Sequence, residues 1–205
     1  MSSFEDRARN WDEDPIRVER ARAVAGAIAR MVPLHDRISC IEYGAGTGLL
    51  GFALQPLVGT MLLTDASAAM TEVAGEKIAS AELEDKMRVL QLDLLTDPLP
   101  GERFDLLITQ MTLHHIPDIP AILSAFFGLL ASPGWLCIAD LDMEDGSFHD
   151  SGFQGHRGFD RAALGRQVEE AGFCTPGFET AYTMRRLRDG EERFYPLFLL
   201  AAKKE

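Results

Sequence analysis

The stretch Ile41-Glu42-Tyr43-Gly44-Ala45-Gly46-Thr47-Gly48-Leu49-Leu50 constrains this chain more than any other. An apolar run with β-branched residues, Ile38 to Ile41, leads to an acid; three glycines at alternate positions follow, then a helix-like apolar segment. That order describes a buried strand turning tightly into a helix N-terminus. Glycine lacks a Cβ, so it accepts positive φ and lets backbone come within contact of a ligand. The helix behind the turn offers unpaired N–H groups. Dinucleotide sites begin the same way, and spacing separates the two cases. The dinucleotide fingerprint has glycines at positions one, three and six, the last for helix–strand packing beside a pyrophosphate. Here they stand at one, three and five, and Leu49 fills the sixth position.

The run instead resembles motif I of the class I S-adenosylmethionine-dependent methyltransferases, which reads acid-x-Gly-x-Gly-x-Gly. The resemblance implies that Gly44, Ala45, Gly46 and Gly48 pack beside the amino-acid end of S-adenosylmethionine, and that Glu42 orients the loop and the ammonium. It extends to two later strand ends. Thr60 to Thr64 reads as a short strand closing on Asp65, whose carboxylate is a pure acceptor and suits a ribose 2′/3′ diol. Asp65 also suits the N-cap of a helix from Ala66 to Ala81, and Met70 within that helix suits either a purine face or the core. Met87 to Leu92 reads as a third strand followed by Asp93-Leu94. By the resemblance Asp93 accepts from the adenine amine and the Leu94 N–H donates to a ring nitrogen. Ala66, beside Asp65, joins the same set. Phe104 to Gln110 is a strand of the kind buried on both faces, and the resemblance turns the Gln110 and Met111 backbone toward the sulfonium.

Around these motifs strands and helices alternate, which argues a parallel α/β sheet. Asp14-Pro15 is a capping acid followed by proline at the first helical position. From there to Val32, Ala21, Val24, Ala25, Ile28 and Met31 recur at helical spacing. Further helices are expected over Leu49–Val58, Ile119–Leu130 and up to Glu170 from a cap at Asp160. Pro133-Gly134 is a turn before a strand, Trp135 to Asp140. Asp189-Gly190 lies between two strand-like runs, 177–184 and 194–202, and signals a hairpin. The expected fold is a single α/β domain over 1–205, a three-layer α/β/α Rossmann-like sandwich. Its seven-stranded, mostly parallel sheet ends in an antiparallel C-terminal hairpin, parallel except for the last strand. Residues 1–32 form its N-terminal helix and lid. In the leader, Phe4, Ala8, Trp11 and Asp12 match an aromatic-x-x-x-Ala-x-x-aromatic-Asp pattern with which related methyltransferases cover the ligand. Anchoring of Phe4 and Trp11 on the core accounts for them equally well.

The net charge of −12 argues against a nucleic-acid surface, which needs a basic stripe, and against anionic membranes. Cys40, Cys137 and Cys174 are odd in number and far apart, with neither a zinc spacing nor a disulfide framework. No segment reaches transmembrane length and the N-terminus has no signal-like apolar run, so a cytoplasmic location is expected.

Residues 141–159 break the alternation with a loop that carries Phe148, Phe153 and Phe159 beside His149 and His156. Long loops of this kind are usually functional or disordered, and aromatics argue for order. Its acids and histidines match neither zinc nor calcium spacing, so no metal is expected. His114 and His115 follow the fourth strand at the edge where the methyl should point. Imidazole titrates near neutrality and can take a proton from an attacking hydroxyl or amine. His115 is the first candidate base, since related sequences often carry histidine there; His149 is the next, with His114 beside them. Phe148, Phe153, Trp11 and Tyr195 are candidate apolar walls for an aromatic or otherwise hydrophobic acceptor. The expected activity is methyl transfer to a small molecule by a monomer or weak homodimer. Two other readings remain open at this point: a non-catalytic S-adenosylmethionine-binding module and a nicotinamide-dependent oxidoreductase.

Overall fold

The computed structural model describes residues 7–150, 152–174 and 176–205. Seven strands form one sheet: β1 (Ser39–Tyr43), β2 (Thr60–Asp65), β3 (Met87–Gln91), β4 (Phe104–Gln110), β5 (Leu130–Leu141), β6 (Gly177–Arg188) and β7 (Glu191–Lys204). Their order is β3-β2-β1-β4-β5-β7-β6. β1 to β5 pair parallel, and β7 is antiparallel to both β5 and β6. The sheet is therefore parallel except for its last strand, as the alternation predicts.

Helices cover both faces. α1 (Pro15–Met31), α2 (Leu49–Leu54) and α3 (Ala68–Ser80) bury Val24, Ile28, Leu54 and Ile78 against one face, with Cys40 and Ile108 of the sheet. On the other face α4 (Ile119–Leu129) and α5 (Arg161–Glu170) bury Phe126 and Leu164 against Ile41 and Leu107. Cys40 and Ile41 go to opposite faces because successive strand side chains alternate. Among the described residues, no helix is long and apolar enough to cross a membrane.

The caps follow the sequence at α1, where the Ile16 N–H donates to Asp14 Oδ1 at 3.0 Å, and at α5, where Ala163 N–H donates to Asp160 Oδ1 at 2.8 Å. Three boundaries differ. α3 begins at Ala68, not Ala66, because Ser67 is its N-cap, accepting from the Met70 N–H at 3.2 Å. α2 ends at Leu54, and Pro56 sits in a 3-10 turn, Gln55–Leu57. The hairpin strands run to Arg188 and from Glu191, beyond their apolar stretches, leaving only Asp189 and Gly190 in the turn. Both have positive φ, 53° and 82°, the conformation a two-residue hairpin turn demands. Ala131 to Gly134 bulge between Leu130, paired with Phe104, and Trp135, paired with Leu106, so the predicted Pro133-Gly134 turn is an interruption within β5.

Candidate active site

In doubly wound sheets ligands bind beyond the carboxyl ends of the strands, where the order reverses. Here that point lies at β1, between β2 and β4. A cavity of about 480 Å³ opens there, walled by Glu42 to Gly46, Asp65 to Ser67, Met70 and Gln110 to Thr112, with Trp11, Arg20 and His115 across from them. Its floor is mostly backbone. Gly44 has φ 68°, and a Cβ on it would lie 2.3 Å from Thr112 side-chain atoms. Gly46 has φ 56°, and the nearest atoms to its missing Cβ are Met70 Sδ at 3.8 Å and Trp11 Nε1 at 3.9 Å. Thr112 thus closes on Gly44, whereas at Gly46 a Cβ would meet Met70 and Trp11 at ordinary contact distance without a clash. At Gly48, φ 83°, the missing Cβ makes room for Leu63.

The acids of the turn differ in setting. Asp65 accepts from the Gly46 N–H at 2.7 Å and from the Ser67 N–H at 2.9 Å, so it fixes the glycine turn while lining the cavity. Glu42 is 2 % exposed, and burial pushes its carboxyl up to about 8, against a smaller opposing effect of the Gly51 backbone N–H. Its Oε2 and the Gln110 Oε1 are buried acceptors with no partner. The Asp65 carboxylate on the cavity lining suits a ligand that brings donors, as the diol of S-adenosylmethionine does, and Glu42 and Gln110 belong to the same lining. Asp93 and Leu94 are not part of this wall. Asp93 accepts from the Tyr43 hydroxyl at 3.5 Å and from the Leu95 N–H at 3.0 Å, and Leu94 is buried in the core.

Trp11 belongs to a 3-10 turn, Ala8–Glu13, that covers the cavity. Thr47 Oγ1 donates to Asp12 Oδ1, and Lys77 Nζ bridges Asp12 Oδ2 at 2.6 Å and the Thr47 carbonyl at 2.7 Å. Arg17 donates to the Trp11 carbonyl at 2.9 Å and lies 3.8 Å over its ring. Phe4, the other aromatic of the leader pattern, lies outside the described residues.

A second cavity, about 650 Å³, adjoins the first; Trp11, Arg20, Met111 and His115 belong to both walls. Met111 has φ 55°, rare for a side chain of its size, directly after β4. The second cavity gathers the candidate bases. His114 and His115 rings are 4.2 Å apart, His114 and His149 5.0 Å, His115 and His149 5.8 Å. His114 is buried, with Nδ1 2.7 Å from Asp140 Oδ1. Burial, then His114 and His149, push the His115 imidazole down to about 4, although part of its ring meets solvent. Burial, then His114 and Arg186, push His149 down to about 4 as well. Both are thus neutral at pH 7 and able to accept a proton. His149 stacks on Phe153 at 3.7 Å, and Phe148 is buried edge-on to Tyr195.

His156, from the same loop, does not reach the cavity. Its Nε2 lies 3.0 Å from the Ile116 carbonyl and its N–H donates to the His114 carbonyl at 2.8 Å, which docks the loop onto the segment after β4. The acids of 141–159 are likewise dispersed: Asp142 pairs with Arg161, Asp145 with Arg193, Asp150 with Arg188, and Glu144 accepts from the Gly146 and Phe148 N–H groups. Among the described residues, no group of three or more His, Cys, Asp or Glu is arranged to hold a metal.

The sequence profile of a family described as methyltransferase domain matches residues 16–175. The chain belongs to that family. Within it the glycine turn, the strand-end acids and the mostly parallel seven-stranded sheet are those of a class I S-adenosylmethionine-dependent methyltransferase. The chain is 32% identical over 108 residues to a protein of Mycobacterium bovis named only as a methyltransferase, covering 53% of this chain and 52% of that one. It spans about half the length of the curated relatives it matches. In fold it is similar to an S-adenosylmethionine-dependent methyltransferase of Aquifex aeolicus, TM-score 0.67 at 19% identity over 94% of this chain and 99% of that one. It is also similar to the magnesium protoporphyrin IX methyltransferase of Synechocystis with bound S-adenosylhomocysteine, TM-score 0.66 at 16% identity, covering 92% and 84%.

Sequence reasoning missed Thr47, Lys77 and Thr112, which brace the glycine turn, and the arginines Arg20, Arg186 and Arg188 of the second cavity. One signal was present. Arg20 precedes Val24 by four and Ile28 by eight, so it prolongs the buried stripe of α1.

Proposed function

We propose that this chain transfers a methyl group from S-adenosylmethionine to a small-molecule acceptor, with the methyl donor in the first cavity and the acceptor in the second. The observation that carries this reading is the shared wall: Met111, His115, Trp11 and Arg20 stand between two cavities, so two ligands would meet there. When bound, S-adenosylmethionine supplies a methyl group already activated by its sulfonium. In this reading Gly44, Gly46 and Gly48, with Ala45 and Ala66, give the donor close backbone contact, and Glu42 and Gln110 offer it acceptors. Asp65 and Met70 hold its nucleoside part, and Asp93 and Leu94 bear on it through Tyr43. The protein's contribution is then largely to fix two reactants in line and exclude water, under the Trp11 turn.

An acceptor that is protonated at neutral pH also needs a base. His115 takes that part because it belongs to both walls and is neutral at pH 7. His149 is the second candidate. His114, held by Asp140, is a positioning residue for both rings. Phe148 and Phe153 favour an acceptor with an apolar or aromatic body. A non-catalytic binder has no use for a second cavity of this size beside the first.

Titration calorimetry with S-adenosylhomocysteine and with NAD is the direct test. Binding of S-adenosylhomocysteine alone is expected, and preferential NAD binding would overturn the reading. Cell extract incubated with methyl-labelled donor and read by mass spectrometry would then identify the product.

A further inference from the structure

The second cavity carries the opposite charge to the protein that contains it. The chain as a whole has a net charge of −12. Yet, among the described residues, five arginines (Arg7, Arg17, Arg20, Arg186 and Arg188) line this cavity with a single carboxylate, Asp150. Arg17 is 3.4 Å from Asp14, and Arg188 is 3.3 Å from Asp150. Among the described residues neither Arg20 nor Arg186 is ion-paired; Asp14 and Asp140 act on Arg20, and Asp14 and Asp150 on Arg186, only from a distance and less than the neighbouring arginines do. Arg186 donates to the Phe148 carbonyl at 2.8 Å and lies 3.8 Å over the Phe148 ring. Among the described residues Arg20 donates to a thioether, Met184 Sδ at 3.6 Å, and its Nε is closed off from solvent without a hydrogen-bond partner. Arg188 Nε and His149 Nε2 are also buried and unpartnered.

A buried guanidinium left without counter-charge is costly, and crowding several together adds like-charge repulsion. The repulsion is evident in the groups themselves. Burial first, then Arg17 and Arg186, pull Arg20 down to about 10, and burial with Arg188 pulls Arg186 down. Folds keep such arrangements where a ligand supplies the missing charge, and arginine suits planar oxyanions because its fork donates two parallel hydrogen bonds.

We propose that the second cavity binds an acceptor bearing a carboxylate or phosphate group, held by Arg186 and Arg20, with its apolar body against the half-buried Phe153 and the exposed His115. The proposal rests on the two-cavity reading above and adds the charge of the acceptor. Arg186 belongs to the second cavity alone, whereas Arg20 borders both. Arg186 is therefore the anchor whose loss separates the two ligands. The anion also acts on the candidate bases. Arg186 holds the His149 imidazole down, so neutralising it moves the His149 titration upward.

The test uses the whole chain saturated with S-adenosylhomocysteine. Benzoate, phenylacetate and 3-phenylpropanoate, each beside its primary amide, and phenyl phosphate are titrated in by ligand-detected NMR. At least one acid is expected to bind about tenfold or more tighter than its amide, the discrimination expected of a charged hydrogen bond. Arg186→Met should erase that preference and leave S-adenosylhomocysteine affinity unchanged, while Arg186→Lys should restore part of it. Bound acid should also raise the His149 titration midpoint in proton NMR. Tightest binding of phenyl phosphate assigns the oxyanion as a phosphate, and tightest binding of an acid assigns it as a carboxylate. Amides binding as tightly as acids, no probe binding, or a preference that survives in Arg186→Met would each overturn the proposal. Failure of S-adenosylhomocysteine itself to bind the wild-type chain would instead remove the two-cavity reading beneath it.

Discussion

The first cavity is built around the glycine turn and the ends of neighbouring strands; the second is made of long side chains brought from five separate segments. In the first, Glu42 to Gly46, Asp65 to Met70 and Gln110 to Thr112 follow three strands that are neighbours in the sheet. In the second, Arg20 of α1, His114 and His115 after β4, Phe148 and His149 of the loop, and Arg186 of β6 meet only through the completed fold. A backbone-built site is set by positions at which few residues can stand, so it tolerates little change. A site built from side chains can change ligand by substitution while the fold stays as it is. A constant donor and a variable acceptor are what that division serves.

Substitutions that distinguish steric from structural glycine would break this comparison most sharply. Gly46→Val should abolish measurable S-adenosylhomocysteine binding, because its Cβ would lie in the cavity in ordinary contact with Met70 and Trp11, without a clash that unfolds the turn. Its cost to folding should be only about 1–2 kcal/mol, from a branched residue at positive φ. Gly44→Val should instead unfold the turn, since Thr112 already occupies the space. Thermal melts beside calorimetry separate the two cases, and a Gly46→Val protein that binds normally would remove the turn from the site.

The second cavity should show the converse pattern. His115→Ala is expected to lower turnover of an identified acceptor by about 10²–10⁴-fold while keeping donor affinity. His149→Ala should lose less. Because burial holds both imidazoles near 4, the wild-type rate should stay level from pH 7.5 down to about 5 and decline only as pH approaches 4. A limb near the ordinary histidine value of about 6.5, or normal turnover in both variants, would mean that neither ring is the base.

How much of each cavity the sequence exposes follows from the same difference. Three glycines at fixed spacing and an acid at a strand end are local patterns, and the turn, Asp65 and the sheet were legible from them. Residues recruited by packing were not. Thr112 closes on Gly44 from 68 positions away, and Arg186 lies beyond the strand-like run 177–184, in the part of β6 that its apolar pattern does not mark. His156 shows the opposite failure: its placement beside the other histidines in sequence suggested convergence, but its ring is spent on the Ile116 carbonyl. The start of α3 was misplaced because two acceptors, Asp65 and Ser67, lie within one turn, and the second is the cap.

Two carboxylates sharpen the comparison inside the first cavity. Asp65→Ala removes a group that lines the cavity and holds the Gly46 and Ser67 N–H groups. A loss of about 1.5–3 kcal/mol in S-adenosylhomocysteine affinity is expected, roughly 10- to 150-fold. Asp93→Ala should cost less, since Asp93 reaches the wall only through the Tyr43 hydroxyl. Calorimetry giving equal losses would mean that Asp93 contacts the ligand directly.

A final prediction separates binding from stability at one residue. Burial raises the Glu42 carboxyl to about 8, so the folded chain holds a proton there at pH values where the unfolded chain, near 4.5, has released it. Fewer protons on the unfolded state make stability fall as pH rises from about 4.5 to 8, by at most about 1.4 kcal/mol per pH unit. Glu42→Gln has no such proton to lose, so its melting temperature should exceed that of wild type progressively across this window. Ligand binding should run the other way. An ammonium beside Glu42 favours the ionised carboxylate, so wild-type affinity for S-adenosylhomocysteine should rise from pH 6.5 to 8 and then level off. The Glu42→Gln affinity should be flat over the same range, so the penalty of the substitution grows with pH. Parallel pH dependences in the two proteins would show that Glu42 braces the turn against Gly51 and does not meet the ligand's charge.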